Sequence, residues 1–495
     1  MSPELTPGQR RLIFLACIAA LFTAAVEGTI VATAMPAIIA DLGGFSLLAW
    51  VFASYMLTQA VTIPIYGRLA DLYGRKRILF FGLTLFVIGS VLCGFAPTML
   101  MLIIFRAVQG LGAGAIAPVT LTIVGDMYPG IARVRVQPVL ASVYAGSSIL
   151  GPVIGAFIVG QLSWPLIFWL NIPLALIAGL MIAVFLKETQ RTVQHTLDAS
   201  GALLLMASIT LALTAMLQAD KLGWAILAFF AMSALLFYVF LCVEKRSPEP
   251  LLPAVLWREP ALYACNVGGF AVGAILMGIT AFLPTYLQGV RGDTVFMSGV
   301  ALSVMSFSWP VAATLSSRVL MRTTYRNIAI TGGVLLLIGG GMMAGLIAAP
   351  EGVSASVLGG WWPAVAAGLT GAGLGTMNAA HHISMQEAAG TNRGIATAAQ
   401  AFMRMLGGTF GTAVLGTVLN ISLAVKLPNA HDPMQTVMDP AARAKLPAAE
   451  IHTLSLGVGE SLSNVFWVAL AVALIAAATA WLVPAVRPGK LRAEN

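Results

Sequence analysis

Charged residues are scarce in this chain of 495 residues: Asp, Glu, Lys and Arg together make up 9% of the sequence, while hydrophobic residues make up 59%. Soluble globular domains carry about 25% charged residues, which cover the surface that faces water. So few charges cannot cover a water-exposed surface on a chain of this length. The composition therefore predicts a protein that crosses a membrane many times.

The sequence also lacks the short motifs of several enzyme and nucleotide-binding classes. It contains no H-E-x-x-H zinc motif, no G-x-S-x-G nucleophile motif and no G-x(4)-G-K-[ST] phosphate-binding loop. The segment GLGAGA at 110–115 fits a dinucleotide-binding pattern, but it lies within a long apolar segment that no β-strand precedes. We therefore expect neither an enzyme nor an ATP-driven pump, and no cofactor.

Cysteine and histidine are rare. The cysteines all lie in apolar stretches without C-x-x-C spacing: Cys17, Cys93, Cys242 and Cys265. They indicate neither a disulfide framework nor a metal site and are interpreted as packing residues. His381 and His382 are adjacent, so they point to different helix faces and do not form a metal site by themselves. Titration of one of them near neutral pH and a packing or lipid-facing position both stay open.

Long apolar segments are abundant, and fourteen are long enough to cross a bilayer as helices, which satisfy their backbone hydrogen bonds internally. The first follows Arg10 and Arg11 as a signal peptide would, but its length and the spans that follow at once indicate a retained helix. The predicted spans are 12–36, 48–67, 77–96, 99–121, 138–161, 165–186, 199–218, 222–243, 261–288, 295–316, 327–348, 359–386, 395–420 and 462–486.

The basic residues are distributed unevenly between the two sides of these spans. Of the 27 Lys and Arg, 20 fall at the termini or in even-numbered loops and five in odd-numbered loops. Because short cytoplasmic loops of membrane proteins are enriched in Lys and Arg, both termini are predicted to be cytoplasmic. The net charge of +8 thus reflects membrane topology, with lipids as the surroundings, and not a nucleic-acid partner.

The spans form two groups of six separated by a central pair. This pattern predicts a six-helix bundle at 1–190, two additional linker helices at 191–250 and a second six-helix bundle at 251–495, with an external loop at 421–461. Paired bundles around a central cavity are typical of transporters built from internal repeats.

The loop after the second span reads GRLADLYGRKR at 67–77 and resembles the loop signature of the major facilitator superfamily, G-x-L-x-D-x-x-G-R-K. Asp71 can face a helix N-terminus, and Arg75 can pair with a carboxylate on a neighbouring helix. The resemblance implies a gating charge cluster of Asp71, Arg75 and Asp126. The alternative is a basic loop that only sets topology. The corresponding segment of the second half, 316–327, has no acid that matches Asp71, so a gate there is expected to be looser or to use other contacts.

Span four contains RAVQG from Arg106, which resembles the superfamily's R-x-x-Q-G signature. An arginine inside a bilayer is costly, so Arg106 is expected to face the bundle interior near water or a carboxylate. Either a structural ion pair or a role in proton handling explains it.

Span five contains Gly146, Gly151, Pro152 and Gly155, which resemble the antiporter signature G-x(4)-G-P-x-x-G-[GA] of exporters in the superfamily. Glycine and proline together allow a bend and close contact with a neighbouring helix, which would limit leak. Ordinary glycine-mediated packing is the alternative.

Further segments resemble the fourteen-helix drug:proton antiporters of the EmrB/QacA kind. They are WPLIFWLNIPLA at 164–175, LDASGALLL at 197–205, LPTYLQGVRGDTVFMSG at 283–299 and RGIATAAQAFMRMLGGTFGTAVLG at 393–416. The resemblance covers nearly the whole chain. It implies an all-α polytopic membrane protein with the major facilitator fold and fourteen transmembrane helices.

Span one contains EGTIVATAMP at 27–36, which matches the family pattern D-x-T-[IV]-V-x-x-A-[LM]-P except that Glu27 replaces Asp. A carboxylate at mid-membrane beside a water-filled cavity can exchange a proton as the cavity opens to either side. Glu27 is therefore the candidate proton-coupling residue, together with Arg106. The alternative is a permanently protonated or ion-paired structural glutamate.

Cargo contacts are sought among polar and aromatic residues within spans, although such residues also pack against neighbouring helices. The candidates are Gln59, Tyr144, Trp309, Asn378 and Arg404. For Arg404, which matches a basic residue of the family's second-half signature, a structural or cavity-polarity role is favoured over direct proton transfer.

The resemblance implies an antiporter that exports amphipathic drugs or toxic compounds in exchange for protons, located as a multi-pass protein in the cell membrane of a bacterium. A same-fold carrier of a lipid, siderophore or metabolite is the alternative. The expected partners are a small-molecule substrate, protons and membrane lipids. A periplasmic adaptor is neither indicated nor excluded by the sequence.

Overall fold

The computed structural model of the protein describes residues 6–128, 131–186, 199–218, 222–247, 257, 259–348, 360–389, 393–428, 430, 432–438 and 447–487. Within these residues every regular element is a helix. The all-α expectation is therefore confirmed. The predicted domain boundaries at 190 and 250 lie outside the described residues.

The α-helices of the first half begin and end close to the predicted spans. They are α1 (Pro7–Leu42), α2 (Leu48–Tyr73), α3 (Arg75–Gly94), α4 (Met99–Met127), α5 (Ile131–Gln161), α6 (Pro165–Trp169), α7 (Asn171–Phe185), α8 (Ala199–Leu217) and α9 (Ala225–Glu244). The predicted sixth span is divided into two helices, α6 and α7, at Leu170.

Among the described residues, the second half continues with seven α-helices. They are α10 (Pro260–Thr285), α11 (Val295–Leu320), α12 (Tyr325–Ala348), α13 (Trp362–Ala388), α14 (Arg393–Lys426), α15 (Pro433–Met438) and α16 (Ala448–Thr479). Three of these helices occupy parts of the predicted external loop 421–461. Helix α14 extends to Lys426, α15 lies wholly within the loop, and α16 begins at Ala448. The connection between the last two long helices is thus shorter than expected.

Thirteen helical segments among the described residues are long and apolar enough to cross a membrane. The helix at the predicted twelfth span, α13, has 27 residues but is not one of these thirteen. Its sequence is rich in Gly and Ala and carries Thr, Asn and His, which lower its hydropathy. The count of fourteen and the side of the termini stay predictions.

The chain packs into two compact units. The first unit comprises Met1–Ala34, Trp50–Ala215 and Leu222–Leu251, and the second comprises Met35–Ala49, Met216–Lys221 and Leu252–Asn495. Nearly all of α8 and the whole of α9, the predicted linker helices, fall within the first unit.

Close helix contacts in both units depend on glycine. A Cβ atom on Gly89 of α3 would lie 2.5 Å from Cα of Gln109 on α4, and one on Gly339 of α12 would lie 2.6 Å from the backbone nitrogen of Thr370 on α13. Because lipid gives helices no hydrophobic drive to associate, small residues that let backbones approach contribute much of the packing.

Candidate functional site

Glu27 lies on α1, and its side chain is fully buried. Its Oε1 atom accepts a hydrogen bond from Nη1 of Arg106, and its Oε2 atom accepts one from the side-chain amide of Asn171 on α7. The predicted residues Glu27 and Arg106 are thus brought together as an ion pair.

Arg106 lies on α4 and is 1% exposed. Its Nη1 also donates to Oε1 of Gln109 at 2.7 Å, and its Nε donates to the carbonyl of Val51 at 3.3 Å. The guanidinium carbon lies 4.1 Å from the ring centroid of Tyr55, a cation–π distance. A buried cation is tolerable only when paired and hydrogen-bonded, and Arg106 meets both conditions.

The hydrogen bonds continue into α3, since Nε2 of Gln109 donates to Oγ of Ser90 at 2.9 Å. Glu27, Ser90, Arg106, Gln109 and Asn171 together form what we call the buried polar network. It joins α1, α3, α4 and α7, and all five of its residues lie in the first unit. A network in a low-dielectric interior specifies the arrangement of the helices that carry it.

The structure differs from the sequence-based expectation in one respect: Glu27 does not border a water-filled cavity in this conformation. The rings of Tyr55 and Phe168 lie around Arg106, and Asn171 covers the second carboxylate oxygen. Asn171 and Ser90 were not singled out from the sequence. The signal for Asn171 is a lone amide within the apolar run WPLIFWLNIPLA.

The loop motif places Arg75 at the first residue of α3, after Gly74, whose φ of 97° favours glycine. Arg75 forms an ion pair with Asp126 at the end of α4, as the cluster hypothesis requires. Next to it, Nζ of Lys76 donates to the carbonyl of Ala183 at 2.6 Å. The side chain of Asp71 lies outside the described part of the structure.

The glycines of the antiporter motif on α5 differ in their surroundings. A Cβ atom on Gly155 would lie 2.9 Å from the carbonyl oxygen of Ile30 on α1, and one on Gly151 would collide with Thr29. By contrast, a Cβ atom on Gly146 would meet nothing within 4 Å. Pro152 is buried beside them. The motif therefore packs α5 against the helix that carries Glu27.

The predicted cargo contacts lie in two units. Gln59 on α2 is half-buried and Tyr144 on α5 is 41% exposed, both in the first unit. Trp309 on α11, Asn378 on α13 and Arg404 on α14 belong to the second unit, where Arg404 is exposed.

Asn378 lines an open recess of about 310 Å³ between α11 and α13, which we call the polar recess. Four of its lining residues carry hydrogen-bonding side chains: Thr314, Ser317, Asn378 and His382. Arg404 lies on α14, which contacts the helix α13 that carries His382. The recess can therefore hold the polar part of a small molecule against an apolar floor of Ala313 and Ala379.

The adjacent histidines have different environments. His381 is fully buried with its ring against Gly268, and neither ring nitrogen has a hydrogen-bond partner among the described residues. His382 is half-buried at the recess. Among all the residues that the structure describes, no group of three or more His, Cys, Asp and Glu side chains is placed to hold a metal ion.

These features define a multi-pass α-helical membrane protein with an ion pair buried among its helices. Residues 16–412 match the family model described as Major Facilitator Superfamily. The chain belongs to the major facilitator superfamily and is a transporter, not an enzyme.

Two relatives from Bacillus subtilis (strain 168) align over nearly the full length. The chain is 30% identical to multidrug transporter protein MdtP over 100% of this chain and 97% of the relative. It is 31% identical to multidrug resistance protein 3 over 95% of this chain and 94% of the relative. The multi-pass protein is accordingly placed in the cell membrane.

Solved transporter structures share the fold. A bacterial homolog of the human lysosomal transporter Spinster, crystallised in an inward-facing and unoccupied conformation, aligns with a TM-score of 0.68 at 16% identity over 98% of this chain and all of the other. The D-xylose-proton symporter aligns with a TM-score of 0.63 at 12% identity over 96% of this chain and 98% of the other.

Proposed function

We propose that this protein exports amphipathic drugs or other toxic compounds from the cytoplasm in exchange for protons. Drug efflux is supported by two relatives aligned over almost the whole chain, one named as a multidrug transporter and the other as a multidrug resistance protein. The observation that carries proton coupling is the buried Glu27–Arg106 pair, because an ionisable pair inside a transporter's membrane region is costly and is retained for function.

The surroundings of Arg106 allow Glu27 to change its protonation state. When Glu27 binds a proton, Arg106 keeps its hydrogen bonds to Gln109 and to the carbonyl of Val51. It also keeps its cation–π contact with the ring of Tyr55. The cation therefore retains partners while the carboxyl group is neutral. Asn171 can accept as well as donate, because its Oδ1 atom is buried and has no hydrogen-bond partner among the described residues.

The proposed cycle requires the closed pair to open. Cytoplasmic cargo enters an inward-open state and favours release of a proton from Glu27 into the cell. In the outward-open state an external proton binds Glu27 and cargo leaves. A ligand shifts such an equilibrium only by its differential affinity for the two states, so cargo and proton must bind different states preferentially.

The membrane arrangement is part of the proposal. We count fourteen spans, including α13, which is not among the thirteen most apolar segments. An even number of spans puts both termini on the same side of the membrane, and the distribution of Lys and Arg indicates that this side is the cytoplasm. Asp71, Arg75 and Asp126 act as a gating cluster, and Gly151 and Gly155 seal the contact between α1 and α5. The proton gradient supplies the driving force, so no cofactor is required.

For cargo we propose the polar recess as one contact surface. Asn378 and His382 present hydrogen-bonding groups there, and Arg404 adds positive charge on the contacting helix α14. This chemistry suits a cargo with a polar, electron-rich group attached to an apolar body.

The test uses the purified full-length protein in proteoliposomes with an internal pH indicator. Addition of cargo is expected to move protons with the wild type and to lose this coupling in Glu27→Gln, while Glu27→Asp retains it. Glu460→Gln is the matched control, because Glu460 is exposed and pairs with Lys426. Full proton-driven export by Glu27→Gln would refute the coupling role. Proton movement with one narrow cargo only would favour a dedicated carrier of a lipid, siderophore or metabolite.

A further inference from the structure

The two units of the chain repeat one helix pair in the same register. In the first unit the pair is α3 and α4, and in the second it is α12 and α13. On α3 and α12, the glycines that contact the partner helix lie 7 and 14 residues after the first helix residue: Gly82 and Gly89 after Arg75, Gly332 and Gly339 after Tyr325. Arg75 and Tyr325 are therefore equivalent positions.

The partner helices confirm this register independently. A Cβ atom on Gly112 of α4 would collide with the backbone nitrogen of Phe86, and one on Gly373 of α13 would lie 2.5 Å from the backbone nitrogen of Leu336. Phe86 and Leu336 both lie 11 residues after their helix starts. Gly112 and Gly373 are thus equivalent, and the same offset of 261 residues makes Asp126 equivalent to Glu387.

The same two positions are bonded in both units, but with different chemistry. Arg75 forms an ion pair with Asp126, whereas the hydroxyl of Tyr325 donates a hydrogen bond to Oε2 of Glu387. The phenol ring of Tyr325 is fully buried in an apolar cluster with Leu320 and Ile328. An arginine at this position would bury its charge in that cluster.

The neighbouring residue repeats as well. Nζ of Lys76 donates to the carbonyl of Ala183 at the end of α7, and Nε of Arg326 donates to the carbonyl of Val483, which follows α16, at 3.0 Å. The backbone nitrogen of Tyr325 also donates to the carbonyl of Val486 at 3.1 Å. The start of α12 is therefore bonded both to the end of α13 and to the segment 483–486.

We propose that Tyr325 and Glu387 form a latch in the second half, equivalent to the Arg75–Asp126 pair of the first half but built from a neutral donor. This proposal rests on the proposed transport function. In each half the latch holds the start of one helix to the end of its partner, and it must loosen when the half changes conformation. The loop 316–327 of the second half has no acid that matches Asp71. The contacts Tyr325–Glu387 and Arg326–Val483 take its place.

The difference in chemistry predicts a difference in salt dependence. Exposed ion pairs weaken as salt shortens the Debye length from about 10 Å at 0.1 M to about 3 Å at 1 M. The side chain of Asp126 is 59% exposed, so the first latch is accessible to screening. The second latch has a neutral hydroxyl on a fully buried ring, and its hydrogen bond is short-ranged. High salt should therefore loosen the first latch and leave the second intact.

Amide hydrogen exchange of the full-length protein in lipid nanodiscs tests the latch. Tyr325→Phe keeps the buried ring and removes the hydroxyl, so exchange at residues 325–331 is expected to rise about tenfold or more while residues 75–81 stay unchanged. Glu387→Gln should act in the same direction. Asp126→Asn should raise exchange at residues 75–81 by a smaller factor, because the Arg75–Asp126 pair is more exposed, and should leave residues 325–331 unchanged. Addition of 1 M KCl should affect residues 75–81 alone.

Transport by the same variants separates a latch from a local structural bond. Tyr325→Phe is expected to change the maximal export rate by several-fold with little change in the cargo concentration for half-maximal export. Unchanged exchange in Tyr325→Phe, or faster exchange with wild-type export rates, would overturn the proposal. Glu27→Gln should leave exchange at residues 325–331 at the wild-type rate, so failure of proton coupling and failure of the latch are distinguishable.

Discussion

Replacement of Arg106 by Met removes the cation that contacts Glu27 while it keeps an unbranched side chain in the same space. The guanidinium is 1% exposed and Glu27 is fully buried, so water cannot take the place of the lost partner without a rearrangement of α1 and α4. Gln109 and the carbonyl of Val51 each lose a donor as well.

The expected cost follows from this burial. Removal of one partner from a buried ion pair typically destabilises a protein by about 3–5 kcal/mol, because the other charge is left uncompensated. Replacement of both partners by apolar residues is often neutral or stabilising. The double variant Glu27→Leu/Arg106→Met should therefore be more stable than Arg106→Met alone, with a coupling energy of about 2 kcal/mol or more.

Reversible unfolding in mixed micelles measures these free energies. Cys17, Cys93 and Cys265 are buried in the fold, whereas Cys242 is exposed. In a Cys242→Ser background, a thiol-reactive fluorophore therefore reports unfolding as the buried cysteines become exposed. The matched control is Arg75→Met, the same substitution in the pair with the exposed Asp126, which should cost about 0–1 kcal/mol.

Two results would refute the reasoning. One is a cost for Arg106→Met no larger than that for Arg75→Met, since burial would then contribute nothing. The other is strict additivity in the double variant, since Glu27 and Arg106 would then act independently. Either result means that the interaction between Glu27 and Arg106 does not contribute to the stability of the first unit in the way that their burial predicts.

Two further predictions concern helix contact and cargo. Gly155→Ala should destabilise the protein by about 1–3 kcal/mol and lower export, because the added methyl group meets the backbone of Ile30. The control is Gly146→Ala, whose methyl group would meet nothing within 4 Å among the described residues. This control should be neutral in the same unfolding assay. Equal effects would contradict the assignment of close contact. His382→Ala should raise the cargo concentration for half-maximal export several-fold, whereas the exposed His452→Ala should not; unchanged cargo dependence in both would remove the polar recess from the site.

The glycines show how far motif recognition reaches. The antiporter signature identifies Gly146, Gly151 and Gly155 as one set, and the sequence gives no reason to separate them. The packing separates them, because a Cβ atom on Gly151 or Gly155 would meet α1, whereas one on Gly146 would meet nothing within 4 Å among the described residues. Which residue of a motif makes the close contact depends on how two helices cross.

The helix α13 shows the limit of hydropathy. Its Gly and Ala residues permit close contact with α11 and α12, and a Cβ atom on Gly371 or Gly375 would collide with the backbone of α11. Small residues that serve packing also lower the apolar content by which spans are recognised. A hydropathy criterion alone therefore leaves α13 out of the candidate membrane spans, although the length of its weakly polar segment predicts a span at 359–386.

The sequence by itself determined the membrane-spanning character, because a chain with 9% charged residues cannot be a soluble protein of this size. It also singled out Glu27 and Arg106, since a charge within an apolar span is costly enough to be conspicuous. Only the tertiary structure decided that these two residues bond to each other, that Asn171 completes the pair from a helix 144 residues away, and that Tyr325 takes the place of Arg75. Partners far apart in the chain meet only through helix packing. That packing depends on many small contacts and cannot be predicted from any single residue.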